Sequence, residues 1–298
     1  MSARKTNVPR VAFDFQDFVV TQSRLPAGGS PHSWRRALEL LSDVFAAEKP
    51  SFTNEYNVWN ITDPNEIMHL HGIVKKEQNK LRRGEGLFLP YSSHCGSYYR
   101  NGWCSAALKL YAQFRATQKL DVRFDEVLNE SSDGKNVAKK VASMDYGSMN
   151  WCVPDDIDPA SKQGREVVRE TKARIGQSEF RRWMLAIYSG QCCVSGLAVP
   201  ELLRASHIVA WSDDDVNRLN PENGLCLSAT YDAAFDRHLI SFDEQYRMML
   251  SDRIKDYCTN AVHNEYFKRH EGRKINLPVR FLPSQSFLQR HRELTFAK

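Results

Sequence analysis

No stretch of this 298-residue chain approaches the ~18 uninterrupted apolar residues of a membrane-spanning helix. The amino terminus, MSARKTNVPR, is basic but has no apolar run behind it, so no secretory signal is visible. Cysteines are present, as Cys95, Cys104, Cys152, Cys192, Cys193, Cys226 and Cys258, yet none forms a C-x-x-C pair. That spacing argues against both a four-cysteine zinc site and a disulfide framework. The expectation is a reducing, cytoplasmic location with no membrane association. Internal repeats and low-complexity tracts are missing too. Strong charge of one sign is also absent, since 41 Lys and Arg face 36 Asp and Glu, a net of +5.

A composition of 42% hydrophobic and 11% aromatic residues is enough to bury a sizeable core and excludes wholesale disorder. At ~150 residues per domain, the length predicts roughly two domains. The mild net charge conceals a pattern. Residues 161–182 hold seven basic and three acidic side chains, residues 183–252 four and ten, and residues 253–298 ten and four. An acidic centre thus sits between two basic arms, while residues 1–160 are near neutral.

The first thirty residues show little periodicity, and Pro26 to Pro31 reads as a loop. Ser30-Pro31 is a helix start, with Ser as N-cap and Pro at the first helical position. Trp34, Ala37, Leu38, Leu41, Val44 and Phe45 then recur at helical spacing. A second helix is expected from Thr62-Asp63-Pro64, with Ile67, Leu70, Ile73 and Val74 on one face, and a third from about Ser97 to Thr117. The aromatics Tyr98, Tyr99, Trp103 and Tyr111 read as core rather than base-stacking groups. Residues 129–160 read as a linker, because Asn129 to Gly134 is rich in breakers and Pro154 to Pro159 is acidic and proline-punctuated. A basic helix from Lys162 to Tyr188 follows.

The chemistry concentrates downstream. Leu203–Val209 reads as a short strand that includes Ser206-His207, Trp211–Pro221 as a polar loop with Asp213, Asp214 and Asp215, and Asn223–Leu227 as a second strand. Ser228–Arg237 reads as a helix that sets Asp232 and Asp236 at i and i+4, hence on one face. Oxygen ligands of this kind suit Mg²⁺ or Mn²⁺. An imidazole across from them can take a proton from an attacking water. Together they point to metal-assisted hydrolysis of a phosphodiester. Asn223 can pin the intervening loop through hydrogen bonds to backbone. Arg174, Gln177 and Arg181 share one helix face, placed to touch phosphate or to support the active-site strand. Arg218 and Arg237 are further phosphate candidates. Cys192 and Cys193 read as core thiols in a strand. His69-x-His71 and His94-Cys95 have no second pair at zinc-binding spacing.

These residues resemble the HNH endonucleases of the ββα-metal fold, in the branch common among restriction and bacterial defence nucleases. The resemblance is carried by Cys193-Val-Ser-Gly196, Ser206-His207-Ile208-Val209-x-Trp211, Arg218-Leu-x-Pro221-x-Asn223-Gly224-Leu225 and Asp232-x-x-Phe235-Asp236-x-x-Leu239, with Leu288-x-x-His291 downstream. It covers about residues 160–298. It implies His207 as general base, Asn223 as the loop-fixing residue and Asp232 with Asp236 as metal ligands. The residue before the base is often Asp or His in this family. Here it is Ser206, a weaker ligand, and one of the loop aspartates or a water could take that place.

The expected fold class is α+β. A mostly helical module over 1–128 would serve recognition, oligomerisation or sensing, and a nuclease domain over 161–298 would be built on the ββα-metal motif. The expected partner is double-stranded DNA, reached along the basic helix and the C-terminal arm, and twofold symmetry of the duplex suggests a homodimer by analogy. The alternatives are a non-catalytic nucleic-acid-binding protein on the same scaffold and an RNA-directed or effector nuclease.

Overall fold

The computed structural model describes residues 9–21, 30–257 and 261–296. Residues 26–29 of the expected loop lie outside the described residues, as do the side chains of His94 and Cys95. The architecture is helix-rich with two small antiparallel sheets, an α+β arrangement. No helix among the described residues is long and apolar enough to cross a membrane. The chain divides into two compact units, Met1–Asp121 with Tyr146–Arg169, and Val122–Asp145 with Glu170–Lys298.

The first unit is helical. A helix not anticipated from the sequence, α1 (Arg10–Thr21), buries Ala12, Phe15 and Val19. Exposed Phe13 and Val20 put apolar residues on its other side as well, so no single face stands out in a short segment. Helix α2 (Pro31–Glu48) starts where expected: the Ser30 side chain accepts the Ser33 N–H at 3.2 Å, and Pro31 occupies the first turn. Asp63 likewise caps α3 (Pro64–Leu81). The single third helix expected over 97–117 is instead two, α4 (Ser92–Arg100) and α5 (Trp103–Glu130). Between them Gly102 takes φ +81, a left-handed conformation that breaks the helix at little steric cost.

Aromatic packing forms the core of this unit. Tyr111 is fully buried, with its ring 5.6 Å from Phe15 and 5.3 Å from Trp59, and its hydroxyl donates to the Trp59 carbonyl at 2.9 Å. Trp34 and Trp103 lie 4.7 Å apart. His71 donates through Nδ1 to the Ser105 carbonyl at 2.8 Å and faces Asp155 at 3.3 Å. Lys75 and Lys109 converge on the same carboxylate. Partial burial opposes ionisation of Asp155, but hydrogen bonds from Lys109 and Lys75 outweigh it and hold the carboxyl well below its usual range.

The second unit holds the strands. Part of the stretch expected as a linker is a capped helix, α6 (Gly134–Ala142), which buries Val137, Ala138 and Val141. Asp133 supplies its N-cap, accepting from the Asn136 N–H at 2.9 Å. A Cβ on Gly134 would sit 1.9 Å from Asn220 Oδ1, so only glycine permits this approach to the turn ahead of Asn223. Helix α7 (Lys162–Ile187) agrees with the expected basic helix to within a residue. Strands β1 (Leu203–His207) and β2 (Gly224–Ser228) pair antiparallel, with His207 opposite Gly224, and lead into α8 (Ala229–Asp236). A second pair, β3 (Ile240–Phe242) and β4 (Met248–Leu250), follows. Short helices α9 (Asp252–Tyr257) and α10 (Ala261–Tyr266) come next, and α11 (Gln285–Phe296) contacts β3. Cys192 and Cys193 are buried as expected but lie in a turn rather than a strand; the Cys193 N–H reaches the Cys226 carbonyl at 2.8 Å.

Candidate active site

A cavity of about 590 Å³ opens in the second unit beside β1 and α8. Ser206, His207, Asp232 and Asp236 line it together, so the fold joins residues up to 30 positions apart in sequence. Gln177 and Arg181 border it as well. Arg174, Arg218 and Arg237 do not, although all three belong to the same unit.

His207 ends β1 and is held from three sides. Its ring stacks on Phe180 of α7 at 3.9 Å and 13°, and Trp211 meets it edge-on at 5.4 Å. Gly224 makes room for this stack, because a Cβ there would lie 2.6 Å from the Phe180 ring. His207 Nε2 lies 2.9 Å from the Arg218 carbonyl oxygen. A carbonyl only accepts, so Nε2 carries the proton and the neutral ring keeps its lone pair on Nδ1. Burial lowers the pKa of this imidazole, with the bond to the Arg218 carbonyl opposing. The ring therefore favours the neutral, basic state.

Asn223 is 1% exposed and fastens the loop that follows His207. Its Oδ1 accepts the Val209 N–H at 2.8 Å, and its Nδ2 donates to the Val209 and Asn217 carbonyls at 3.1 and 3.2 Å. Its own carbonyl accepts the Ile208 N–H at 3.0 Å. These bonds replace sheet pairing, which is why β1 stops two residues short of the expected Val209.

Asp232 and Asp236 project from successive turns of α8 into the cavity. The Ser206 hydroxyl, 3% exposed, donates to Asp232 Oδ1. The Asp236 pKa is raised, first by partial burial and then by the neighbouring Asp232 charge, against Arg237 and His238. A carboxyl whose ionisation is opposed by burial and by a neighbouring carboxylate marks a place where a cation is favoured. Among the described residues, no group of three or more His, Cys, Asp or Glu converges as a ready metal cage. Two carboxylates and a hydroxyl still fit a hard divalent ion such as Mg²⁺, which keeps several waters and relies on few protein oxygens.

The remaining candidates are placed as follows. Arg174 is largely exposed, its nearest carboxylate Glu170 at 3.8 Å. Gln177 is exposed. Arg181 donates to the Leu203 and Pro200 carbonyls at 2.7 and 2.9 Å and so braces the start of β1. Arg218 Nε donates to the Trp211 carbonyl at 2.7 Å, and its guanidinium pairs with Asp215. Arg237 is exposed at the end of α8. Arg182, on the basic helix, is engaged by Asp125 and Glu179.

Phe180, Arg204, His238, Arg290 and Leu294 also line the cavity, although local reading of the sequence does not name them among the site residues, and His291 enters it only as part of the downstream Leu288-x-x-His291 motif. Local spacing in α11 gives no sign that it reaches a cavity built around His207, 83 positions upstream of Arg290. A search of curated proteins returned no match. The family model described as HNH endonuclease matches residues 192–243, which span both site strands, His207, Asn223 and both aspartates, so that this segment of the chain is similar to that family.

Proposed function

We propose that this protein is a divalent-metal-dependent endonuclease that hydrolyses phosphodiester bonds of double-stranded DNA, in restriction or bacterial defence. One observation carries this reading: His207 commits its Nε2 proton to the Arg218 carbonyl and shares a cavity with Asp232 and Asp236. An imidazole in that tautomer is a general base, and the two carboxylates are cation ligands.

His207 Nδ1 takes the proton of the attacking water. Asn223 fixes the loop whose Arg218 carbonyl sets the tautomer. Ser206 orients Asp232 and adds a weak third oxygen. A bound Mg²⁺ or Mn²⁺ would supply Lewis-acid stabilisation of the charge that develops on phosphate and leaving oxygen. Arg174 and Gln177, exposed on the basic helix, are placed to meet the DNA backbone, with Arg237 a further cation. The near-neutral N-terminal residues would supply recognition, oligomerisation or sensing, and a dimer would place two sites on a duplex.

The test is nicking of supercoiled plasmid in Mg²⁺ or Mn²⁺ by wild type and His207→Ala, with RNA and single-stranded DNA digested alongside. Metal-dependent cleavage that survives His207→Ala would sink the mechanism. A second reading, a non-catalytic nucleic-acid-binding protein, is favoured by the sparse donor set at Ser206, Asp232 and Asp236. Calorimetry that detects no divalent binding, while DNA binds in a salt-dependent way, would select it.

A further inference from the structure

We propose that Arg290 is the phosphate clamp of this cavity and that Asp213 holds its guanidinium ready until phosphate displaces it. The proposal rests on the nuclease reading above. A phosphodiester drawn into a site lined by Asp232 and Asp236 needs a cation on the protein side as well as any bound metal. Three guanidiniums line the cavity, those of Arg181, Arg204 and Arg290. Arg181 is spent on the Leu203 and Pro200 carbonyls, and Arg204 on those of Glu201 and Leu203. The Arg290 side chain makes no hydrogen bond among the described residues and is 51% exposed. Its nearest carboxylate is Asp213, at 4.0 Å, beyond hydrogen-bond reach.

The backbone beneath Arg290 is fixed relative to α8, the helix that carries both aspartates. Next to it, His291 is 3% exposed, its Nε2 donating to the Phe235 carbonyl at 3.1 Å. The Ser241 hydroxyl meets His291 Nδ1 at 2.9 Å. Arg292 donates to the Phe242 carbonyl at 2.9 Å. Arg290 and Leu294, one turn apart, therefore face the same cavity. Asp213, on the loop after β1, also lines it and pairs weakly with Arg290. A carboxylate at that distance steers the guanidinium without satisfying it, and a phosphate with bidentate geometry displaces it. This gives part of the aspartate loop a role other than metal binding.

The experiment measures binding of a fluorescent duplex oligonucleotide by the full chain in a His207→Ala background, across a salt series, alongside plasmid nicking with His207 intact. Arg290→Ala is expected to weaken DNA binding about tenfold and lower the salt slope by about one. Arg290→Lys should recover part of it, because charge remains but the fork is lost. Asp213→Asn should tighten DNA binding about twofold to fivefold and leave Mn²⁺ affinity unchanged. Unchanged affinity and slope in Arg290→Ala overturn the clamp, whether or not the wild type nicks plasmid. Loss of Mn²⁺ affinity in Asp213→Asn makes Asp213 a metal ligand and overturns its holding role. If wild type fails to nick while Arg290→Ala still loses DNA affinity, the nuclease reading falls and the phosphate contact stands. Should Arg290→Ala fail to fold, Arg290→Gln replaces it in each arm.

Discussion

Asn223 and Val209 are bonded twice, side chain to backbone: Oδ1 accepts the Val209 N–H at 2.8 Å and Nδ2 donates to the Val209 carbonyl at 3.1 Å. A side-chain amide is the group that can both accept and donate at one peptide, in the manner of a neighbouring strand. The loop after His207 is thereby registered against β2. Asn223→Ala leaves those backbone groups buried without partners. Chemical denaturation should show a loss of about 2–4 kcal/mol, with weakened nicking because the Arg218 carbonyl no longer sits under His207.

His207→Ala removes the proposed base but no charged partner. Nicking should fall by about 10²- to 10⁴-fold while duplex binding persists. Equal losses of cutting and binding would point to a binding role instead.

Asp232→Asn should abolish Mn²⁺ binding in calorimetry. Ser206→Ala, which removes the hydroxyl that orients Asp232, should weaken it by about 10- to 100-fold. An unchanged ion affinity in Ser206→Ala would show that Asp232 is positioned without it.

Arg181→Ala removes one donor from each of two carbonyls at the entry to β1, while Arg204 still bonds the Leu203 carbonyl and the Leu203 N–H the Pro200 carbonyl. The expected loss is about 0.5–1.5 kcal/mol of stability, exceeding any change in DNA affinity. The opposite order of effects would make Arg181 chiefly a phosphate contact.

His291 gives a pH dependence whose sign follows from its burial. Burial, aided by His238 and opposed by the bond to the Phe235 carbonyl, pushes its pKa down to about 4. Above the ordinary histidine value both folded and unfolded forms are neutral, and the contribution is fully present. As pH falls from about 6.5 towards 4 the unfolded chain takes up a proton that the native state refuses, so stability declines. The total is about 3 kcal/mol from this group. His291→Gln should flatten that part of the stability–pH curve, and an unaltered slope would assign the acid sensitivity elsewhere.

Much of the frame was legible in the sequence because its signals are local. Ser30-Pro31 and Asp63-Pro64 announce helix starts through the hydrogen bonds that a cap must make. His207, Asn223, Asp232 and Asp236 lie within thirty residues, and i, i+4 spacing alone sets both aspartates on one face of α8. Where local signals were thin the reading failed. Helix α1 carries apolar residues on most of its circumference and buries only Ala12, Phe15 and Val19, and the core partners of Phe15, namely Trp59, Tyr111 and Phe114, lie far along the chain. The breaker-rich stretch near residue 134 hides a helix that is stabilised by Asp133 and by contact with the Asn220–Asn223 turn.

The sequence by itself determined which residue types could do chemistry and which elements would carry them, since helix phase, capping and strand alternation are short-range properties. Only the tertiary structure decided the tautomer of His207, the partner of Ser206, the bracing task of Arg181 and the presence of Arg290 in the cavity. Each of those depends on a carbonyl, hydroxyl or carboxylate brought close by packing from a distant segment, and pairings of that range leave no periodicity in the chain to read.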